Sequence, residues 1–225
     1  MFLRKIFCWM LKMKHKEIKI YIFLLVAFNI GVFTGTVSDS MLFHPEKIMQ
    51  GQVWRLVSHC FVHVSWYHLL LDGAAFLMLY SQLTAKSLAV RTFYVLAASI
   101  GSIAAVALAL PYVESIGYCG LSGIDHGLMT ICALEMLVDR DSDRTMKIAG
   151  GVSLILVCVK SIYEAVNGHM FLEILHFNMM GSPVAVSHIG GVVGGLIAFG
   201  VIYAIRANVH KMCITETSNV DAAKA

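Results

Sequence analysis

The chain has 225 residues, of which 58% are hydrophobic and only 14% charged, with a formal net charge of +3. Several apolar runs approach the ~20 residues that cross a bilayer, which makes this an all-α integral membrane protein and excludes a soluble domain. The small positive excess reflects membrane topology and not nucleic-acid binding.

In chain order, residues 1–17 form a basic cytoplasmic segment with five Lys or Arg. The apolar run at 18–36 is longer than a signal-peptide core and has no convincing small-residue cleavage site, so it reads as a retained first span. Further spans are expected at 66–83, 90–110, 121–138, 148–166 and 184–204, each helical because lipid offers no partner to an unpaired backbone. Residues 18–205 therefore make one six-helix bundle, and 206–225 a polar cytoplasmic tail whose end, TETSNVDAAKA, reads as disordered. Of the 17 Lys and Arg, fourteen fall on the side of the termini, against only Lys47 and Arg55 on the other, with Lys160 inside the fifth span. That bias puts both termini in the cytoplasm. The six cysteines contain no C-x-x-C pair; Cys60 and Cys119 alone are expected on the oxidising side, and their scattered spacing argues against a bridge.

Ionisable residues within a membrane are expensive and mark function by default. Spans two, four and six all enter from the non-cytoplasmic face, and each carries polar residues in its first turns: His68 and Asp72, then Ser122, Asp125 and His126, then His188. At 1.5 Å per residue these lie within roughly 10 Å of the outer helix ends. A site open to external water accounts for three distant helices presenting polar groups at one level.

The stretch GLSG, Gly120 to Gly123, removes side chains on both sides of Ser122. Small residues serve helix packing in membranes, and they equally give a substrate access to a hydroxyl. A catalytic serine needs a neutral imidazole as its base, and two histidines compete. His126 lies four residues on, on the same helical face. His188 stands in SHIGGVVGG, where Gly191 with Gly195 and Gly190 with Gly194 form G-x-x-x-G spacings that press span six against another helix, span four being the expected one. The bland reading of His188 is a polar residue satisfied by a neighbouring helix.

Before span two, the stretch VWRLVSHCFVHVSWYHLLLDG carries His59, His63 and His68, which raises a zinc site. No H-E-x-x-H is present and the glutamate base of such a hydrolase is missing, so no metal and no cofactor is expected. The alternative is that His68 and Asp72, one turn apart, stabilise negative charge on a substrate oxygen or orient donors that do so. Trp54, Trp66 and Tyr67 read as interfacial aromatics. Lys160 and Glu164 are one turn apart on span five, as an intramembrane ion pair or as a wall of a substrate gate.

From about Trp54 to Tyr203 the chain resembles the rhomboid intramembrane serine proteases. The matching elements are Trp54 and Arg55, the run His59, His63, His68 and Asp72, GLSG around Ser122, and HIGGVVGG from His188. The resemblance implies a six-helix rhomboid-like bundle with a Ser–His dyad, Ser122 as nucleophile and His188 as general base and then acid. It also implies an oxyanion hole from the Ser122 backbone N–H with His68 and position 72, beside Gly120, with Gly123, Gly191 and Gly195 supporting the site. Within rhomboids the chain is most similar to the rhombosortase branch, through GLSGIDHGL, KSIYE and PVAVSHIGG. That branch implies cleavage of secreted bacterial proteins at a C-terminal sorting signal built of a small-residue motif, a membrane helix and basic residues. The substrates would be single-pass membrane-anchored proteins, and the enzyme would sit in the bacterial inner membrane with its site facing the periplasmic or external side.

Two departures stand out. Rhomboids commonly carry Asn where this chain has Asp72, and an ionised carboxylate cannot donate to an oxyanion; either Asp72 is protonated, or it holds a neighbouring histidine such as His68. His126 replaces an aromatic residue that packs against the catalytic histidine, a role an imidazole can keep. Asp125, three residues from Ser122, would be a third triad member, but the family works with a dyad. Two rival readings are a catalytically inactive rhomboid-like binder of membrane helices, disfavoured by the filled serine and histidine positions, and a small transporter, disfavoured by the lack of clearly broken midplane helices.

Overall fold

The computed structural model describes residues 16–34, 36, 39–109, 117–139, 141–171, 177, 179 and 184–222, with side chains as far as 209, and among these described residues eight α-helices succeed one another. They are α1 (Lys16–Phe28), α2 (Pro45–Met49), α3 (Arg55–Ser58), α4 (Trp66–Gln82), α5 (Leu88–Leu108), α6 (Ser122–Val138), α7 (Arg144–Asn167) and α8 (Val186–Ala222). The basic segment expected at 1–17 lies almost wholly outside the described residues. All six expected spans fall on helix, the first as α1 continued by a 3-10 turn at Ile30–Thr34.

Four stretches are long and apolar enough to cross a membrane among the described residues: Lys16–Thr34, Leu88–Leu108, Arg144–Asn167 and Val186–Val209. A fifth arises if Arg55–Phe61 and Trp66–Gln82, bent by 99° at the break between them, count as one span. With 17 residues, α6 sits at the lower limit of the usual range of about 17–25. Its position explains its composition: α6 packs against α4, α5, α7 and α8 at once, so it need not be apolar all round. The lipid-facing hydrophobes lie elsewhere, for example Ile155, Val159 and Val166 on α7 and Ile20, Phe23 and Val26 on α1. The buried set is correspondingly rich in polar groups, among them His63, Asp72, Glu164 and His188. A polar interior inside an apolar exterior is the arrangement of an integral membrane protein.

Side chains set several helix ends. Ser65 caps α4 by accepting the His68 N–H at 3.0 Å, and Asp143 caps α7 by accepting the Met146 N–H at 2.8 Å. Gly168 ends α7 in the left-handed region, φ 69°. Because of the Asp143 cap, α7 begins four residues before the expected 148. The tail departs further from expectation, since helix continues through Ala222 where disorder was expected from Thr215 onward. No Gly or Pro follows Gly200, so nothing in the sequence stops the helix.

The segment ahead of α4 is held by buried polar bonds. Arg55 is buried and its Nη1 donates to the carbonyls of Asp39 and Leu42, at 2.7 and 2.6 Å. Phe43 and Tyr118 exchange backbone hydrogen bonds of 2.8 and 3.0 Å, which fastens this segment to the approach to α6. Asn29, fully buried just after α1, donates to the carbonyls of Leu25 and Phe61 and accepts the His63 N–H at 2.8 Å. Cys60 and Cys119 are both free thiols.

Candidate active site

Glycine contacts bring α6 and α8 together. A Cβ on Gly191 would overlap the Gly123 carbonyl oxygen, and one on Gly195 would meet the Gly127 carbonyl oxygen at 2.5 Å. The other glycine row faces α5: a Cβ on Gly190 would strike the Gly101 carbonyl, and one on Gly194 that of Ala97. The pairing of span six with span four is as expected from G-x-x-x-G; the second contact, with span three, was not anticipated. With no side chains between the backbones, the first residue of α6, Ser122, and the third of α8, His188, open adjacent helices at the same end of the bundle.

His126 reaches back one turn. Its Nδ1 lies 2.7 Å from the carbonyl oxygen of Ser122, which can only accept, so Nδ1 carries the proton. The Lys160 ammonium, which can only donate, lies 3.0 Å from Nε2. Both nitrogens of His126 are therefore committed, and no lone pair is left to act as a base. The ring stacks on that of His188, with 4.0 Å between centroids and 8° between planes.

The Nδ1 of His188 lies 2.6 Å from Glu164 Oε2, and both residues are buried. No hydrogen bond joins His188 Nε2 to the Ser122 hydroxyl among the described residues; such bonds often tighten only when substrate is bound. Lys160 contacts both carboxylate oxygens of Glu164, at 2.8 and 2.9 Å, and Glu164 Oε1 accepts the Phe171 N–H at 2.7 Å. The expected i, i+4 pair on span five is thus present, but its acid also reaches across to span six. Lys160 is a satisfactory local partner for Glu164, and nothing in a linear pattern signals the second one. The antiparallel course of α7, whose last turn meets the first turns of α6 and α8, brings that contact about.

On the other side of Ser122, Asp72 Oδ2 accepts the N–H groups of Leu121 and Ser122, at 3.0 and 3.1 Å. Leu121 and Ser122 open α6 with no side-chain cap of their own, so the Asp72 carboxylate serves that helix end from across the bundle. His68 Nε2 stands 3.0 Å from the same oxygen, and His63 Nε2 3.7 Å. Asp72 therefore acts as an acceptor that holds His68, and the Ser122 N–H expected to serve an oxyanion is engaged by it. Gly120 lies against this pair: its φ is +103°, and a Cβ there would approach Asp72 Oδ2 and His68 Nε2 to 2.8 Å each. Asp125 is buried on α6, and its Oδ1 has no hydrogen-bond partner among the described residues.

The three histidines that raised a zinc site do not gather as ligands. His59 Nδ1 is 3.0 Å from the Arg55 carbonyl, and the rings of His63 and His68 meet edge to face. The group among the described residues with metal-ligand spacing is instead His126, Glu164 and His188, whose ligand atoms lie within 4.8 Å of one another. Lys160 already places a cation among them, bonded to two of the three. A metal would have to displace that ammonium.

Compared with known families, the chain matches the Rhomboid domain family over residues 50–205. No curated protein and no solved structure matches it.

Proposed function

The chain belongs to the rhomboid family of intramembrane proteases, and on that premise we propose that it is a serine endopeptidase working through Ser122 and His188. The observation that carries this reading is the division of labour between two stacked imidazoles. His126 has both nitrogens occupied, by the Ser122 carbonyl and by Lys160, whereas His188 is bonded through Nδ1 and keeps Nε2 for a proton. Ser122 Oγ attacks the scissile carbonyl as His188 Nε2 takes its proton; the proton then passes to the leaving amine. Water enters from the outer face and, with His188 acting again, releases the acyl group from Ser122. His68 and the Ser122 N–H are the oxyanion donors, and Asp72 Oδ2 gives up its hold on both as the oxyanion forms.

The bundle crosses the membrane six times with both termini in the cytoplasm, residues 18–205 forming the protease domain between a basic N-terminal segment and a polar tail. The site opens to the periplasmic or external face of a bacterial inner membrane. The substrates are single-pass membrane-anchored proteins cut near the outer end of their transmembrane segment, of the rhombosortase kind: secreted proteins bearing a C-terminal sorting signal. Support for this branch comes from GLSGIDHGL, KSIYE and PVAVSHIGG alone. Co-expression with a candidate membrane substrate tests the reading. Cleavage is expected to vanish in Ser122→Ala and His188→Ala and to persist in His126→Ala; cleavage surviving Ser122→Ala would remove the mechanism.

A further inference from the structure

We infer that Glu164 is the positioning residue of the site, fixing the tautomer and orientation of His188, so that the working unit is Ser122, His188 and Glu164. The inference rests on the reading of Ser122 and His188 as nucleophile and base.

Among the described residues, the polar partners of the Glu164 carboxylate other than His188 offer it hydrogens. Lys160 Nζ donates to both oxygens, the Phe171 N–H to Oε1, and His188 approaches Oε2 at 2.6 Å. A carboxylate surrounded in this way is ionised and can only accept, so the proton between it and His188 resides on Nδ1. That leaves the lone pair of a neutral His188 on Nε2, the atom that must take the Ser122 proton. With the opposite tautomer the lone pair would point at the carboxylate and the serine would have no base.

An ion pair with Lys160 would by itself account for a glutamate on α7, but not for the contact to α8. The carboxylate is fully buried, and its anchors come from α7 itself and from Phe171 just beyond it. It is thus fixed to an element other than the one that carries His188, so the bond restrains the imidazole relative to the rest of the bundle. His126 holds the opposite degree of freedom by stacking on the ring face. Edge and face of His188 are both supported.

The proton balance is simple. The proton leaves Ser122 Oγ for His188 Nε2 as the carbon–oxygen bond forms, and goes on to the leaving nitrogen as the peptide bond breaks. Glu164 takes no proton at any stage; it stays ionised and faces an imidazolium while the tetrahedral species exists. Lys160 keeps the carboxylate paired at rest, where a lone buried anion would be costly.

The full chain, purified in detergent or reconstituted in liposomes, is assayed on a transmembrane substrate in wild-type, Ser122→Ala, Glu164→Gln and Glu164→Asp forms. Glu164→Gln is expected to lower kcat at least on the order of 100-fold with KM within about threefold of wild type, and Glu164→Asp to recover at least about tenfold of that loss. A Glu164→Gln enzyme whose kcat stays within about threefold of wild type, while Ser122→Ala is inert, overturns the inference and leaves the dyad standing. Activity in Ser122→Ala would instead strike the reading beneath it. A second measurement does not depend on how the Glu164 variants fold. In wild-type protein with ¹⁵N-labelled histidine, the imidazole signal that disappears in His188→Ala should report a protonated Nδ1 with a strongly downfield proton; a protonated Nε2 in neutral His188 overturns the inference.

Discussion

The imidazole of His126 lies flat on that of His188, 4.0 Å between centroids and 8° from parallel. The contact is one of shape more than of proton chemistry, because both His126 nitrogens are bonded elsewhere. His126→Phe is therefore expected to keep kcat within about threefold of wild type. His126→Ala removes the platform and should lower kcat about tenfold without abolishing cleavage, which steady-state kinetics on a transmembrane substrate will measure. An inactive His126→Phe that remains folded would mean that the ring takes part in proton transfer.

In the proposed mechanism Asp72 bears a carboxylate beside the place where negative charge develops. Asp72→Asn preserves an oxygen to accept the Leu121 and Ser122 N–H groups and adds an amide that can donate. The expected result is an increase in kcat of about tenfold, equivalent to ~1.4 kcal/mol off the barrier. A fall in kcat with unchanged thermal stability would show that the negative charge is itself needed, through its pairing with His68.

Lys160 stands where a cation could otherwise bind. Wild-type activity is expected to survive a strong chelator unchanged. In Lys160→Ala the cluster of His126, Glu164 and His188 loses its ammonium and becomes a three-ligand site of the kind zinc favours. This variant should bind Zn²⁺ in titration calorimetry and should lose its residual cleavage on zinc addition, with recovery on chelation; failure to bind zinc would show that the three side chains cannot converge.

The glycine contacts can be tested by contrast. Gly191→Ala places a methyl group against the Gly123 carbonyl, which is backbone and cannot move aside cheaply. A loss of roughly 1–3 kcal/mol is expected from overpacking, read as a lower unfolding midpoint in detergent. Gly200→Ala on the same helix meets nothing within 4 Å and should be neutral or stabilising by up to ~1 kcal/mol.

What could be read in the sequence was local or periodic. Ser122 announces itself between glycines, His188 precedes two G-x-x-x-G spacings, and the six apolar windows all fall on helix. The Asp72 dilemma could be posed because a carboxylate has known hydrogen-bonding limits; its contacts with Leu121, Ser122 and His68 fit the alternative of an acceptor that holds a histidine. Long-range polar partners were not legible. Asn29 looks like any residue at the end of an apolar run, yet it joins α1 to the segment before α4. Glu164 was explained too early by Lys160, since a helical neighbour at i−4 satisfies a charge without reference to topology. The end of α8 escaped because polar composition suggests disorder, while helix persistence depends on the absence of a stop.

The two glycine rows of α8 also constrain movement. One row rests on carbonyls of α6 and the other on carbonyls of α5, so this helix is gripped like a key between two wards. A rotation or a slide of one residue would bring Val192 or Val193 against peptide oxygens, a displacement that no rotamer change absorbs. His188 consequently has one available position along the bundle. With His188 as the base proposed above, a substrate that needs room must obtain it from elements less tightly gripped, and the cleavage site would be measured from a fixed mark: the bond cut would be the one whose carbonyl comes to rest at the level of that histidine.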